Sequence, residues 1–255
     1  MKHILKTIFY AAADILTLNR GLGTKIGEEW FRFPARWSRY YESDYEPETF
    51  DFFRKNLKPG DIVFDIGAHI GLFSVVASRL VGETGKVYAF EPTPFTRGVL
   101  GKVIKLNGCD HNVEIRTEAV SEKKGTAYFF DTGTEVSNAN SLVETSRSKK
   151  KLEVPVTSVD EFVAERGLLV NCLKVDVEGA ELQVLRGARK VFTEQRPVAR
   201  LGLHPEMMAA NGHTLEMIWE IIKDYKYRPE YNGSPISKHD FCSKPTLFDV
   251  SLFPF

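Results

Sequence analysis

The amino-acid sequence predicts an α/β fold in which helices cover both faces of a mostly parallel sheet. From Asp61 onward, apolar runs of strand length alternate with segments of helical periodicity, a pattern typical of consecutive βα units. The run VFDIGAHIG, residues 63–71, joins a buried strand to a helix through a turn with two glycines. In sheets of this class ligands bind at the carboxyl ends of the strands, so the functional residues are expected there.

The individual elements follow from the same alternation. Strands are predicted at residues 62–66, 87–90, 113–119, 170–175 and 198–203. Helices are predicted around residues 72–80, 97–106, 159–166 and 180–192. The tail from residue 225 to 255 is rich in aromatic residues and prolines, and it is expected to supply the last, antiparallel strands.

Composition excludes several classes of protein. The 255 residues are 43% hydrophobic and 27% charged, as in ordinary globular domains. Their formal net charge of +0 argues against a nucleic-acid partner. The three cysteines form no CxxC pair, which argues against a disulfide framework or a zinc site and predicts a cytoplasmic protein. No run approaches the ~20 apolar residues of a membrane span.

Residues 1–55 are predicted to form a helical extension in front of a main domain at 56–255. Apolar residues recur at helical spacing at Ile4, Leu5, Ile8, Phe9, Ala12, Ile15 and Leu16. Lys6 and Asp14 interrupt any signal-peptide core. A helix packed on the domain is favoured, while a helix on a membrane surface and a cleaved signal remain alternatives.

An insertion is predicted at about residues 126–158. Two extended segments, TAYFFD and LEVPVTSVD, enclose a long polar stretch. Loops of this length are either solvated or functional lids, and the sequence leaves both readings open. The asparagine- and serine-rich residues 137–141 would suit a hydroxyl-rich ligand.

The glycine turn at residues 67–71 favours a ligand without a pyrophosphate. A dinucleotide fold needs G-x-G-x-x-G because its second glycine lets the pyrophosphate approach the backbone. His69 occupies that place, and the chain contains no GxxxxGK[ST] phosphate loop. S-adenosylmethionine (SAM) needs close backbone approach and carries no phosphate. SAM is therefore the predicted cofactor, and an NAD-dependent dehydrogenase is the least favoured reading.

Acidic residues follow three successive strands and agree with SAM. Asp65 stands where it can meet the ammonium of the methionine part. Glu91, in YAFEP, can accept hydrogen bonds from both ribose hydroxyls. Glu118, Ala119 and Val120 end the third strand, where an adenine edge would lie. A single acid at a strand end is often only a helix cap, but three in register favour a binding site.

The segment LKVDVEGAE carries the candidate catalytic residues. Alternation places Lys174, Asp176 and Glu178 on one side of the extended chain, with Asp176 where a transferred methyl group should lie. Glu178 could equally be a first-turn acid that complements a helix dipole. His204, after the fifth strand, is either a base or a hydrogen-bonded structural residue. The base is expected to be His204 or Asp176, with Glu178 orienting it and Lys174 stabilising the charge nearby. No metal ligands are predicted, and a divalent metal held by Asp176 and Glu178 is an alternative that is not favoured.

Taken together, these motifs resemble the FkbM family of SAM-dependent methyltransferases. The matching pieces are YEPETF, LKPGDIVFDIGAHIGLFS, YAFEPTP, AVSEKKGTAYFF, VPVTSVDEF and LKVDVEGAELQVLRGA. The resemblance implies a class I, Rossmann-like methyltransferase with a seven-stranded sheet, and O-methylation of macrolide or sugar-type hydroxyls. It also implies that Glu46 approaches the cofactor. The complete expected cofactor set is Glu46, Asp65, Gly67, Ala68, His69, Gly71, Glu91, Pro92, Glu118, Ala119, Val120 and Asp176.

One departure from the family concerns the acceptor side. The segment before His204 reads GLHP, whereas the family often has a glutamate in the place of Gly202. The expected activity is still that of a SAM-dependent methyltransferase (EC 2.1.1.-) acting on a hydroxyl of a glycan or polyol-type small molecule. The alternatives are a protein or nucleic-acid acceptor and a SAM-binding interaction module without catalysis.

Overall fold

The computed structural model describes residues 10, 15–18, 20–131, 141–142 and 150–255. Its strands are β1 (Leu22–Ile26), β2 (Glu29–Phe33), β3 (Ile62–Ile66), β4 (Lys86–Phe90), β5 (Val113–Arg116), β6 (Ala119–Val120), β7 (Gly125–Asp131), β8 (Lys150–Thr157), β9 (Cys172–Val175), β10 (Val198–Leu203), β11 (Tyr227–Tyr231), β12 (Ser234–Pro235) and β13 (Phe248–Pro254). Its helices are α1 (Pro47–Asn56), α2 (Leu72–Val81), α3 (Pro94–Leu106), α4 (Val159–Arg166), α5 (Glu181–Arg186), α6 (Pro205–Ala210), α7 (Leu215–Asp224) and α8 (Lys238–Cys242). Short 3-10 and π turns lie at Ala35–Trp37 and Val191–Gln195.

The main sheet is mixed and has the order β12-β11-β13-β10-β9-β3-β4-β5. The five strands from β10 to β5 are parallel. β13 is antiparallel to both of its neighbours, as expected for the tail. The predicted α/β class is therefore confirmed. The sheet has eight strands instead of the predicted seven, because the two-residue strand β12 pairs with β11 at one edge.

Two predicted elements are divided in the structure. The strand predicted at 113–119 ends at Arg116, since Glu118 accepts a hydrogen bond from the Thr117 N–H at 3.0 Å and breaks the ladder. β6 then joins a separate three-stranded sheet with the order β6-β8-β7. The helix predicted at 180–192 is interrupted after Arg186. A Cβ on Gly187 would lie 2.2 Å from the Ser121 carbonyl oxygen, so only glycine permits this close approach.

The described part of residues 1–55 contains a β-hairpin in addition to helix. β1 and β2 pair antiparallel around a turn at Gly27, and alternate residues of β2, Phe31 and Phe33, are buried. This period of two was overlooked in the prediction of a helical extension. The predicted apolar helix face lies outside the described residues except for Ile15 and Leu16, which are exposed. No helix within the described ranges is both long and apolar enough to cross a bilayer.

Hydrophobic clusters cover the two faces of the main sheet. On β3, Phe64 and Ile66 pack into one cluster with α4, α5 and α7. Val63 faces the other cluster, with α1, α2 and α3. The alternation of side chains along a strand produces this division, and it leaves the carboxyl edge of the sheet free to hold polar groups.

The insertion begins as predicted with two extended segments. β7 and β8 pair antiparallel, with Gly125 opposite Val156 at one end and Asp131 opposite Lys150 at the other. Between them the structure describes only Ser141 and Leu142, so the remaining residues of the predicted lid lie outside the described part. Ser141 forms a bridge with Phe130, and its hydroxyl donates to the carbonyl oxygen of Glu178 at 2.7 Å. The insertion is thereby attached to the loop that follows β9.

Candidate active site

The carboxyl ends of β3, β4, β9 and β10 border one cavity of about 1150 Å³, including its open mouth. Ligand sites occupy roughly 300–1,000 Å³, so this cavity is large enough for a small molecule. Thirteen of the fifteen residues that the sequence predicts for the site line this cavity: Glu46, Asp65, Gly67, Ala68, His69, Glu91, Pro92, Ala119, Val120, Lys174, Asp176, Glu178 and His204. Gly71 and Glu118 are predicted cofactor residues that lie outside this lining.

The glycine turn brings the backbone of β3 against the chain that follows β9. Gly67 has a φ of +85°, and a Cβ at this position would lie 1.9 Å from the Asp176 carbonyl oxygen. Gly71 has a φ of +93°, and its Cβ would lie 2.4 Å from Cδ1 of Leu100. Only glycine adopts such backbone without strain. Gly67 thus shapes the cavity wall, while Gly71 allows α2 to pack against α3.

Asp65 offers one free oxygen to the cavity. Its side chain is 1% exposed, and Ser74 donates a hydrogen bond to Oδ2 at 2.5 Å. Oδ1 is buried without a hydrogen-bond partner. Burial raises the pKa of Asp65, although Lys174 and the Ser74 hydroxyl oppose the rise. A buried oxygen without a partner is costly, and a ligand that donates a hydrogen bond would remove this cost.

Glu91 follows β4 on the same wall of the cavity. Its Oε1 accepts a hydrogen bond from the Thr93 N–H at 2.8 Å. Burial raises the pKa of Glu91 to about 7, while backbone N–H groups of Thr93 and His69 oppose that rise. Asp65, Gly67 and Glu91 are hereafter the glycine-turn wall. Its carboxyl groups can accept hydrogen bonds from an ammonium or from hydroxyls.

His69 turns towards two tyrosines of the N-terminal region. Its backbone is left-handed at φ +53°, and its ring nitrogens lie 3.5 Å from the hydroxyls of Tyr40 and Tyr41. Burial lowers the pKa of His69 to about 4, against the opposing effect of Asp176. The ring is therefore neutral at physiological pH and closes the cavity beside the glycine turn.

Glu118 is held away from the cavity. Its carboxylate pairs with Arg116 at 2.5 Å, because both side chains extend from the end of β5. Burial opposes ionisation, but the hydrogen bond and charge of Arg116 lower the pKa of Glu118 below its ordinary value. Of the three residues predicted at this strand end, only Ala119 and Val120 line the cavity.

A second part of the lining, next to the glycine-turn wall, carries four charged residues, Lys174, Asp176, Glu178 and His204, hereafter the histidine wall. Lys174 is 5% exposed, and its Nζ lies 3.0 Å from Oδ2 of Asp176. Burial disfavours the ammonium, but Asp176, Asp65 and Glu46 raise the pKa of Lys174 above its ordinary value. Burial likewise opposes the charge of Asp176, yet Lys174 and His204 lower its pKa. These two residues form an ion pair that faces the cavity.

His204 lies among three carboxyl groups. Its Nε2 is 3.3 Å from Glu178 and 3.7 Å from Asp176, and its Nδ1 is 2.8 Å from Glu181. Burial lowers the pKa of His204, but Glu178, Glu181 and Asp176 outweigh it and raise the pKa to about 11. Burial raises the pKa of Glu178, which His204 opposes. The ring is therefore an imidazolium at neutral pH.

The same wall could also hold a divalent cation. Asp176, Glu178 and His204 each offer one ligand atom, and these atoms lie within 4.8 Å of one another. Carboxylate oxygens suit Mg²⁺ or Mn²⁺, whereas an imidazole ligand suits Zn²⁺ or Fe²⁺. The two cationic side chains beside Asp176 already balance its charge, so the wall does not require a metal.

Several residues of the site were absent from the sequence prediction. Tyr41 and Tyr45 reach the cavity from the N-terminal region, and Asp249 reaches it from β13. Asp249 pairs with Gly202 across two antiparallel strands. A Cβ at Gly202 would lie 3.1 Å from Asp249 and 3.2 Å from Asp176. Burial raises the pKa of Asp249 to about 6, against the effect of Arg200. No local signal marks Tyr41 or Asp249, because tertiary contacts alone bring them to the cavity, whereas Tyr45 begins the YEPETF motif.

Comparison with known proteins identifies the family of this fold and site. A sequence model described as the methyltransferase FkbM domain matches residues 65–229. The 31-O-demethyl-FK506 methyltransferase FkbM of Streptomyces tacrolimicus is 30% identical over 162 residues, which are 51% of this chain and 60% of that protein. Methyltransferase sdnD of Sordaria araneosa is 32% identical over 161 residues, or 52% of this chain and 62% of that protein. The matched part is thus less than two thirds of either relative.

The fold is similar to that of a solved family structure. Methyltransferase FkbM from Methylobacillus flagellatus KT aligns with a TM-score of 0.50 at 14% sequence identity, over 81% of this chain and 50% of that chain. At this level of identity the likeness concerns the fold alone. The Rossmann-like methyltransferase architecture is thereby supported independently of the sequence motifs.

Proposed function

The chain belongs to the FkbM methyltransferase family, and from this premise we propose that it is a SAM-dependent O-methyltransferase acting on a hydroxyl of a glycan or polyol-type small molecule. The observation that carries the proposal is the glycine-turn wall. There, a buried oxygen of Asp65 without a partner and the carboxyl group of Glu91 border the same cavity as the close backbone approach at Gly67.

The residues of this wall fit SAM. The free Oδ1 of Asp65 would accept a hydrogen bond from the ammonium of the methionine part. Glu91 would accept hydrogen bonds from both ribose hydroxyls, and Ala119 and Val120 would border the adenine. When bound, SAM supplies a methyl group on a positively charged sulfur, which is already a good leaving group.

The histidine wall would align the acceptor and remove its proton. Alignment is the larger part of the task. Glu178 is the proposed base, since burial raises its pKa above the ordinary value, which makes the carboxylate a stronger proton acceptor. Asp176, kept ionised by Lys174, would accept a hydrogen bond from the acceptor. The imidazolium of His204 would donate one, in place of the base role that the sequence also allowed.

Two considerations support a hydroxyl acceptor of this class. By its name, the relative from Streptomyces tacrolimicus methylates an oxygen of a natural product. The formal net charge of +0 gives no attraction to a nucleic acid. A cytoplasmic location remains part of the proposal.

Calorimetric titration with S-adenosylhomocysteine, in parallel with NADH, tests the cofactor. We expect S-adenosylhomocysteine alone to bind, and Glu91→Ala to weaken that binding. An absence of binding to the folded wild-type protein would refute the methyltransferase proposal. A screen of methyl glycosides and polyols for release of S-adenosylhomocysteine from SAM would then identify the acceptor.

A further inference from the structure

Glu181 is a buried acid at the end of the LKVDVEGAE segment. It is the first residue of α5, and its side chain is 0% exposed. Its Oε1 accepts hydrogen bonds from Nδ1 of His204 at 2.8 Å and from the Gly179 N–H at 2.9 Å. Burying a carboxyl group is expensive unless it is paired and hydrogen-bonded. These two contacts stabilise Oε1 in the interior, while Oε2 is buried without a hydrogen-bond partner.

The contact on Nδ1 determines what the other nitrogen of the ring can do. A carboxylate accepts hydrogen bonds, so Nδ1 of His204 must carry a proton. Nε2 then faces Glu178 and Asp176 at 3.3 and 3.7 Å. Because α6 begins directly after His204, the backbone of this residue is fixed, and Glu181 limits the remaining rotation of the ring.

We propose that Glu181 is a positioning residue that holds the His204 ring with Nδ1–H directed at itself and Nε2 directed at the acceptor. The role in methyl transfer rests on the proposed function, whereas the orientation of the ring does not. Glu181 does not line the cavity, and its side-chain hydrogen bonds go to His204 and to the Gly179 N–H. Such outer carboxylates fix the tautomer and orientation of functional histidines.

Histidine side-chain NMR on ¹⁵N-labelled full-length protein tests this proposal without an acceptor. The groups that face His204 are Asp176, Glu178 and Glu181, and those that face Glu181 include Glu178 and His213. The His204 signals are identified by their loss in His204→Gln. In Glu181→Gln we expect the pKa of His204 to fall by about one unit or more, because a charge in direct contact is removed.

Glu206→Gln is the matched control. Glu206 lies two residues after His204 and is exposed, so the same change of charge there should leave the His204 titration unaltered. An unaltered titration in Glu181→Gln would overturn the proposal. If that variant fails to fold, the wild-type spectrum tests the proposal. We expect a slowly exchanging proton on Nδ1 of His204 with a contact to the Gly179 N–H. A ring protonated only on Nε2 would contradict the proposal.

Binding of S-adenosylhomocysteine separates this proposal from the proposed function. Glu181→Gln should bind it within about twofold of wild type, because Glu181 lies away from the glycine-turn wall. If the wild type does not bind S-adenosylhomocysteine, the methyltransferase proposal fails. The NMR result on the ring would be unaffected by that failure.

Discussion

The two walls of the cavity are built on different physical principles. The glycine-turn wall depends on backbone shape, with positive φ at Gly67, and it leaves a buried oxygen of Asp65 without a partner. The charges of the histidine wall are instead paired with one another, Lys174 with Asp176 and His204 with Glu178. The first wall is prepared for a ligand, whereas the second is already balanced. We therefore expect cofactor affinity to depend on the first wall and turnover on the second.

The largest effect is expected from Gly67→Ala. The added Cβ would overlap the Asp176 carbonyl oxygen and strain a backbone at φ +85°. The loss of stability should be about 3 kcal/mol or more, with loss of S-adenosylhomocysteine binding. Chemical denaturation and calorimetry measure both. Gly98→Ala is the control: it lies in a helix, its Cβ would have nothing within 4 Å, and the substitution should be stabilising. If Gly67→Ala bound S-adenosylhomocysteine as tightly as wild type, the cavity wall would not depend on backbone shape at Gly67.

Glu91→Gln should weaken the binding of S-adenosylhomocysteine by about tenfold. The amide keeps the size of the side chain but replaces one oxygen acceptor with a donor, and a hydrogen bond to a charged group is worth about 1.5–3 kcal/mol. Isothermal titration gives the two dissociation constants. Glu118→Gln serves for comparison, because the carboxylate of Glu118 pairs with Arg116 outside the cavity lining. An equal loss of affinity in Glu118→Gln would mean that Glu118 also belongs to the cofactor site.

The affinity for S-adenosylhomocysteine should rise with pH around neutrality. Burial raises the pKa of Glu91 to about 7, so the group is partly protonated at neutral pH and becomes a better acceptor as pH rises. The stability of the free protein should show the opposite dependence on pH. Because the pKa of Glu91 is raised in the folded state, its contribution to stability falls as pH rises from its pKa in the unfolded chain, ~4.3, towards 7. Titrations between pH 6 and 8 should show the trend, and Glu91→Gln should flatten it.

Glu178→Gln should distinguish the contribution of the histidine wall to turnover from that of the glycine-turn wall to cofactor affinity. We expect S-adenosylhomocysteine to bind within about twofold of wild type, while methyl transfer to any acceptor found in the screen falls by about a hundredfold or more, as on removal of a general base. Binding calorimetry and initial rates are the measurements. A large loss of cofactor affinity would mean that the walls are not independent.

Removal of divalent metals should have the smallest effect. Lys174 and His204 already balance the carboxylates of the histidine wall, so dialysis against EDTA should leave thermal stability and S-adenosylhomocysteine binding unchanged. The same measurements in millimolar Mg²⁺ complete the comparison. A rise in stability with Mg²⁺ that Asp176→Asn abolishes would instead identify a metal site.

The residues expected at strand ends are local features of the sequence, and those supplied by distant segments are not. β3 and β10 have the predicted bounds, and the acids Asp65 in β3 and Asp176 after β9 line the cavity. Periodicity and strand ends are local, so one sequence contains them. Asp249 and Tyr41 come from distant segments, and Glu181 resembles an ordinary first-turn acid. Glu118 misled the prediction because its pairing with Arg116 cannot be read from spacing.

The position of β13 in the sheet sets the order in which the protein can be completed during synthesis. This strand lies between β10 and β11, although β11 precedes it in the chain. Until residues 248–254 have left the ribosome, β11 can pair only with the two-residue strand β12, and the edges of β10 and β11 that β13 later joins stay open. Such unpaired edges favour aggregation. Premature termination shortly before β13 should thus yield an aggregating chain, and slow translation of residues 236–254 would lengthen its dependence on chaperones.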